Sequence, residues 1–337
     1  TKRGSSVGIG ETTVTYRGEF GVSQLTRDRF PTANSHPYEL DAQGNFVFSD
    51  NGTRPLDADK LGDNAWPNYQ DYQEQIFRDG NFKTNSLTVQ GRSATTSFLL
   101  SGQSASDEGV IQGVDGYDRN TFRMNVDHVL SNKMDVSVSS TYSSSTQDRL
   151  PDNGTGALIN NILFYPPFYD LSTPNEEDGS LYNWDIDSLG SEIRNPLYTL
   201  YNRETTQKRN RVIGTVKLNY DVTDWLSVNG SASLDRSDNQ FEEFINKGYL
   251  SDDQRGGVQF DPTAPSNGSG GGLERSTFIR EAVVSRLNAV AVKTYGDFNV
   301  ALRLSYLYED NSLRFNSTRG DDLAVSGIRS FDNIVDQ

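Results

Sequence analysis

Between Arg211 and Asp235 the chain writes the same pattern twice, an apolar or small residue followed by a polar one, with a short break in the middle. Val212, Val216, Leu218 and Tyr220 fall on one side of this period, and Arg211, Thr215, Lys217 and Asn219 on the other. After Val222-Thr223-Asp224-Trp225, the residues Leu226, Val228, Gly230, Ala232 and Leu234 alternate with Ser227, Asn229, Ser231, Ser233 and Asp235. Successive side chains of a strand point to opposite faces, so a sustained period of two is a β-strand with one apolar face. Two such strands across a tight turn form an antiparallel hairpin.

The unit recurs. Asn132-Lys133 leads into Met134, Val136, Val138 and Tyr142, which alternate with Asp135, Ser137, Ser139 and Thr141. Lys293-Thr294-Tyr295-Gly296-Asp297 joins a strand ending near Val292 to Phe298, Val300, Leu302, Leu304, Tyr306 and Tyr308. Gly91-Arg92-Ser93-Ala94 links Leu87 and Val89 to Phe98 and Leu100, and Val14, Tyr16, Phe20 and Val22 mark an earlier strand. The pattern predicts nine strands, at 12–24, 82–91, 95–106, 119–131, 134–147, 209–222, 225–240, 278–293 and 297–310.

Their connections alternate between short turns and long segments near 25–81, 107–118, 148–208 and 241–277, rich in Asp, Asn, Gly and Pro. Soluble sandwiches rarely carry such loops, whereas transmembrane β-barrels pair short turns on one side with long loops on the other. The expected class is therefore all-β, a transmembrane antiparallel barrel. Half of every strand would line a wet interior, which accounts for a mean hydropathy of −0.65. Tyr220, Trp225 and Tyr295 beside the short turns, with Tyr142 and Tyr308 toward the other ends, are expected to form two aromatic girdles at the membrane interfaces. A secreted adhesin or solenoid would show a similar alternation, but no fixed repeat of solenoid length occurs.

Composition removes other classes. With 31 Lys+Arg against 46 Asp+Glu, the net charge of −15 opposes nucleic-acid binding, which depends on neutralising phosphates. No apolar run is long enough for a spanning helix. An aromatic content of 11% is too high for a disordered chain. The absence of Cys excludes disulfides, thiolate metal sites and cysteine nucleophiles and suits passage through an oxidising periplasm; His36 and His128 are the only histidines. Asp57-Ala58-Asp59-Lys60-Leu61-Gly62 begins like a calcium loop but carries Leu where an oxygen ligand belongs, so it reads as a solvated acidic loop and no metal site is expected. The Gly-rich stretch from Ser266 to Gly272 has no Gly-Lys-Ser/Thr and is a connection rather than a phosphate cradle. No fixed carboxylate pair supports hydrolysis, and no enzyme activity or cofactor is expected.

Several motifs resemble SusC/RagA-type TonB-dependent outer-membrane transporters of the Bacteroidetes. Tyr69-Gln70-Asp71-Tyr72-Gln73-Glu74-Gln75-Ile76-Phe77-Arg78-Asp79-Gly80 is similar to the segment before that family's second barrel strand, with Tyr72 in place of a Trp. Ser97 to Gly102, then Asp107-Glu108-Gly109-Val110-Ile111, resemble its strand and Gln-Glu-Gly-Ile patterns. Pro166-Pro167-Phe168-Tyr169-Asp170 with Asp178-Gly179-Ser180, then Asn195-Pro196-Leu197 and Arg211-Val212-Ile213-Gly214, follow in the family's order. Thr1-Lys2-Arg3-Gly4 looks like the last strand of the plug.

The resemblance implies a fragment of a 22-stranded barrel, with residues 1–10 ending the plug and connecting to it and 11–337 forming the N-terminal part of the barrel. It implies import of an oligosaccharide or oligopeptide across the outer membrane of a Gram-negative, Bacteroidetes-type cell. A SusD-like surface lipoprotein would cap the mouth, and the TonB–ExbB–ExbD system would supply energy through a more N-terminal segment. A structural or assembly subunit without transport is the alternative. Substrate contacts are expected from external loops. Candidates are Tyr165, Phe168 and Tyr169, held around Pro166-Pro167, together with Trp184 and Trp66. Aromatic rings stack on sugar faces or hold peptide side chains. The competing reading for each is packing of its own loop.

Overall fold

The structure is a computed structural model that describes residues 7–26, 35–50, 53–66, 69–150, 170–174, 181–183, 195–249 and 270–336. Its long strands are β1 (Thr12–Ser23), β4 (Gly80–Arg92), β5 (Thr96–Asp107), β6 (Tyr117–Ser131), β7 (Met134–Arg149), β8 (Arg203–Thr223), β9 (Leu226–Ile245), β10 (Gly272–Tyr295) and β11 (Phe298–Leu323). Each pairs antiparallel with the next, and the short β12 (Ile334–Asp336) adds to β11, giving one ten-stranded sheet. A separate two-stranded ribbon joins β2 (Ser35–His36) to β3 (Asn64–Ala65). Two short helices, α1 (Tyr72–Ile76) and α2 (Pro196–Asn202), lie in the long connections.

All nine expected strands are present, and the register aligns their apolar residues on one face. Tyr16 pairs with Leu87, Leu87 with Gly102, Gly102 with Phe122, Phe122 with Tyr142 and Tyr142 with Val212. Nearer the short turns, Val138 pairs with Val216, Val216 with Ala232, Ala232 with Ser285 and Ser285 with Tyr308. Residues opposite one another in an antiparallel ladder share a face, so these rows make a continuous apolar belt. Its large members are exposed, among them Val14, Tyr16, Leu87, Phe122, Val216, Leu218, Leu287, Leu302 and Leu304. The girdle residues Tyr142, Tyr220, Trp225, Tyr295 and Tyr308 are exposed as well. Lys293 Nζ lies 5.6 Å from the Trp225 ring and 5.3 Å from that of Tyr295, as expected where aromatic faces meet a polar boundary.

The strands run further than their alternation. β8 begins at Arg203 rather than 209, β9 continues to Ile245, β10 begins at Gly272 and β11 ends at Leu323. Beyond the belt apolar residues no longer recur at every second position of one face, so the hydrophobic period disappears while the backbone ladder goes on. The 26 residues of β11 extend about 85 Å, far more than the 9–11 residues that cross a membrane.

Buried side chains gather at the strand ends that carry the long connections. Tyr72, Ile76, Leu171, Leu197 and Leu200 form one cluster, and Phe244, Leu273 and Leu323 a second. The first unites three motifs that are distant in sequence. Asn195 caps α2, its side chain accepting from the Leu197 amide at 3.0 Å with Pro196 in the first turn. Its Nδ2 donates to the carbonyls of Leu171 at 2.7 Å and Asn183 at 2.8 Å. The segment Ile76–Arg78 pairs with Val110–Gln112 through Arg78 N to Val110 O and Gln112 N to Ile76 O, each 2.8 Å. Gly109 reaches this arrangement at φ +67°, where glycine meets no Cβ penalty.

Candidate functional site

Of the five aromatic candidates, Tyr165, Phe168, Tyr169 and Trp184 lie outside the described residues, so the structure speaks only of Trp66. Trp66 is half-buried beside the two-stranded ribbon. Its ring is 4.5 Å from His36, 6.1 Å from Phe46 and 6.5 Å from Tyr38. The Arg54 guanidinium covers the group, 4.9 Å from the Phe46 ring and 5.5 Å from that of Tyr38. His36 is fully buried at the centre, with Nδ1 accepting from the Tyr38 amide at 3.1 Å. Burial depresses its pKa below the usual histidine value; the Ala65 backbone opposes this, Arg54 reinforces it and Asp57 opposes it. The ring of Trp66 thus contributes to a small aromatic box that holds its own loop together.

Beside the box, Asp57, Asp59 and Asp63 bring carboxylate oxygens within 4.8 Å of one another. Two of them already serve the turn. Asp57 accepts from Lys60 N at 2.8 Å and Asn64 Nδ2 at 2.6 Å, and Asp59 from Leu61 N at 2.9 Å. Asp63 lies outside the calcium-like run Asp57 to Gly62, and only the folded turn brings it to Asp57 and Asp59.

A cavity of about 330 Å³ lies where α2 meets the start of β8 and the end of β9. Leu197, Leu200, Tyr201, Tyr182 and Phe244 supply its apolar wall. Arg329 stacks 4.9 Å over the Phe244 ring and pairs with Glu204. None of these residues stood out in the sequence as a candidate.

The polar face carries a second feature that the sequence reading missed. Phe241 and Phe278 occupy positions whose neighbours along the strand parity are polar, and Phe315 lies between Leu313 and Ser317 on the same face. Phe278 is directly opposite Phe315, with ring centroids 4.6 Å apart, and Phe241 meets Phe278 edge-on at 6.2 Å. The Arg149 guanidinium lies 5.8 Å from the Phe241 ring. One row inward, Arg211 grips Asp235 with bonds of 2.9 and 2.6 Å. The signal was an aromatic residue on the wrong parity of an alternating strand.

With this geometry established, comparison with known proteins agrees with the motifs. The chain is 25% identical to TonB-dependent receptor P3 of Formosa agariphila over an alignment that takes in 94% of the chain and 30% of the receptor. Its fold matches the RagAB peptide importer in the closed-closed state with a TM-score of 0.63 and 13% identity, covering 99% of this chain and 38% of that one. The RagAB peptide transporter gives the same TM-score at 12% identity, covering all of this chain and 39% of that one. No family profile matches. The chain therefore has the fold of part of a transmembrane antiparallel β-barrel and is similar to a segment of a SusC/RagA-like TonB-dependent transporter. It spans about a third of the length of the proteins it resembles.

Proposed function

We propose that this chain is the first part of the barrel of an outer-membrane importer driven by TonB, residues 1–10 closing a plug domain and residues 11–337 opening the barrel. The observation that carries the reading is the single apolar belt shared by nine strands, with a polar opposite face and connections that are short at one end and long at the other. The belt faces lipid and the polar face lines the lumen. The short turns lie in the periplasm and the long loops outside.

Such a protein performs no bond chemistry. It binds an oligosaccharide or oligopeptide beneath a SusD-like lipoprotein and passes it inward when TonB–ExbB–ExbD pulls on the plug. The likeness to a TonB-dependent receptor and to the RagAB assembly supports this arrangement. Tyr165, Phe168, Tyr169, Trp184 and Trp66 remain proposed substrate contacts. The test is deletion of the full-length gene. Uptake of a labelled nutrient should be lost, and losing TonB should abolish it equally. Normal uptake with defective assembly of other outer-membrane proteins would replace transport by an assembly role.

Topology is checked in the same cells. The chain has no cysteine, so Gln43→Cys in the first long loop should react with a membrane-impermeant maleimide. Thr294→Cys, in the last residues of β10 beside a short turn, should react only after the outer membrane is broken, and the reverse pattern would overturn the orientation.

A further inference from the structure

Three consecutive rows of the polar face, followed across β6 to β11, contain a band of one charge. The first runs Tyr117, Gln147, Gln207, Phe241, Ser276, Ser317; the second Arg119, Ser145, Arg209, Asn239, Phe278, Phe315; the third Thr121, Ser143, Arg211, Ser237, Arg280, Leu313. These positions hold four arginines and no carboxylate, in a chain with 46 acidic and 31 basic residues. Arg211 is matched by Asp235. Among the described residues Arg119, Arg209 and Arg280 make no ion pair, and Arg119 Nε is buried with no hydrogen-bond partner. Glu243, one row outward, is already taken by Arg203.

The two outer rows of the band stand clear of the belt. Counting from the last large apolar residue of each belt strand, Arg119 is three residues beyond Phe122, Arg209 three beyond Val212, and Phe315 seven beyond Tyr308. At a strand rise of about 3.3 Å per residue, these three lie about 10 to 23 Å beyond the belt, while Arg211, one residue past Val212, sits about 3 Å from its edge. The two outer rows therefore line the mouth of the lumen, and the third borders the belt.

Resting on the import reading, we infer that this band is a recognition wall for an acidic oligosaccharide. Guanidinium groups favour carboxylate and sulfate because they form paired, charge-assisted hydrogen bonds. The rings of Phe278 and Phe315 have no hydroxyl to satisfy and offer apolar faces on which the C–H faces of a sugar can lie. Arg119 and Arg209, neither of them in an ion pair among the described residues, are two strands apart in one row. Two strand spacings are about 9.6 Å. That is close to the length of a disaccharide, whereas same-side carboxylates of an extended acidic peptide recur at about 6.6 Å.

The experiment uses the full-length transporter with whatever lipoprotein co-purifies, and calorimetry with three probes: a β-1,4-linked uronic acid tetramer, a neutral glucose tetramer with the same linkage, and tetraglutamate. The uronate should bind at least about tenfold more tightly than either of the others, with affinity falling as salt rises. Arg119→Ser with Arg280→Ser should weaken the uronate about tenfold or more, as should Phe278→Ala with Phe315→Ala. Arg314→Ser, which removes a cation from the opposite face of β11, should leave binding unchanged and serves with heat-modifiable mobility as the control for folding. Equal binding of the neutral probe, tighter binding of tetraglutamate, no binding of any probe, or indifference to both double variants in folded protein would each overturn the inference. Failure of the import reading looks different, because uptake of every nutrient would then survive deletion of the gene. A deletion that abolishes uptake of a neutral glycan alone would leave import standing and remove the acidic substrate.

Discussion

Gly80 packs directly beneath the carbonyl of Gly109, so that a Cβ added at residue 80 would lie 2.1 Å from that oxygen. The contact joins the start of β4 to the turn after β5, where Glu108 N donates to Asn81 O at 3.0 Å. Both partners are backbone, so neither can swing away as a side chain would.

Gly80→Ala should therefore force the two segments apart and cost about 1 to 3 kcal/mol or more, the range for overpacking a closed site. Gly102→Ala is the comparison, because nothing lies within 4 Å of a Cβ there. Surface abundance and heat-modifiable mobility of the barrel should fall for the first and hold for the second. Equal behaviour would show that the turn after β5 adjusts freely.

The register makes a sharper demand on the two faces. Val216 is opposite Val138 and Ala232 in the belt, whereas Thr215 is opposite Ser139 and Ser233 on the polar face. Val216→Arg should cost about 2 to 4 kcal/mol near the bilayer midplane, and Thr215→Arg far less. Folding into vesicles under urea titration would separate them, and equal losses would mean that the faces are assigned wrongly.

His36 gives a pH dependence whose sign follows from its burial. Its folded pKa is lowered, mainly by desolvation, so the folded loop binds fewer protons than the unfolded one. The stabilisation is fully present above the ordinary histidine pKa of about 6.5 and is lost as pH falls from there toward the folded value. Hydrogen exchange across residues 35–66 should accelerate between pH 7.5 and pH 5, while the β8–β9 hairpin stays protected. His36→Phe should flatten the dependence. Exchange rising equally in both regions would assign the effect to the whole barrel.

Each level of this organisation was legible to the extent that chemistry differed between neighbouring residues. From Val212 to Leu234 one face meets an apolar medium and the other a polar one, so the period could be read directly. Between Phe241 and Ile245, or Arg203 and Gln207, both faces are wet or covered by loops and composition no longer reports the strand, although the ladder continues. The band containing Arg119, Arg209 and Arg280 was illegible for another reason. Its members lie on three strands, and only the pairing register brings them into adjoining rows. The packing around Trp66 depends likewise on partners 20 to 30 residues earlier, which no local pattern announces.

Asn195 shows how a short motif acquires its meaning from three dimensions. Asn-Pro-Leu reads locally as a helix start, and the side-chain oxygen does cap α2. Its amide nitrogen meanwhile holds two carbonyls from the preceding connection, and the residue is completely buried. Asn195→Ala would leave those carbonyls and the Leu197 amide without their partner. Losing the cap costs about 1 kcal/mol, and each buried group left unsatisfied about 1 to 3 kcal/mol. Asn195→Asp keeps the acceptor for the cap but removes both donors and sets a carboxylate against two carbonyl oxygens. It should therefore be no milder than Ala, although Asp is as good a cap in isolation. Protease sensitivity of the outer layer around Leu171 and α2, measured beside urea unfolding of the barrel, would locate the damage. Rescue by Asp to the native level would show that capping is the main task of this residue; loss with both variants would show that it is the buried amide that ties the loop to the helix.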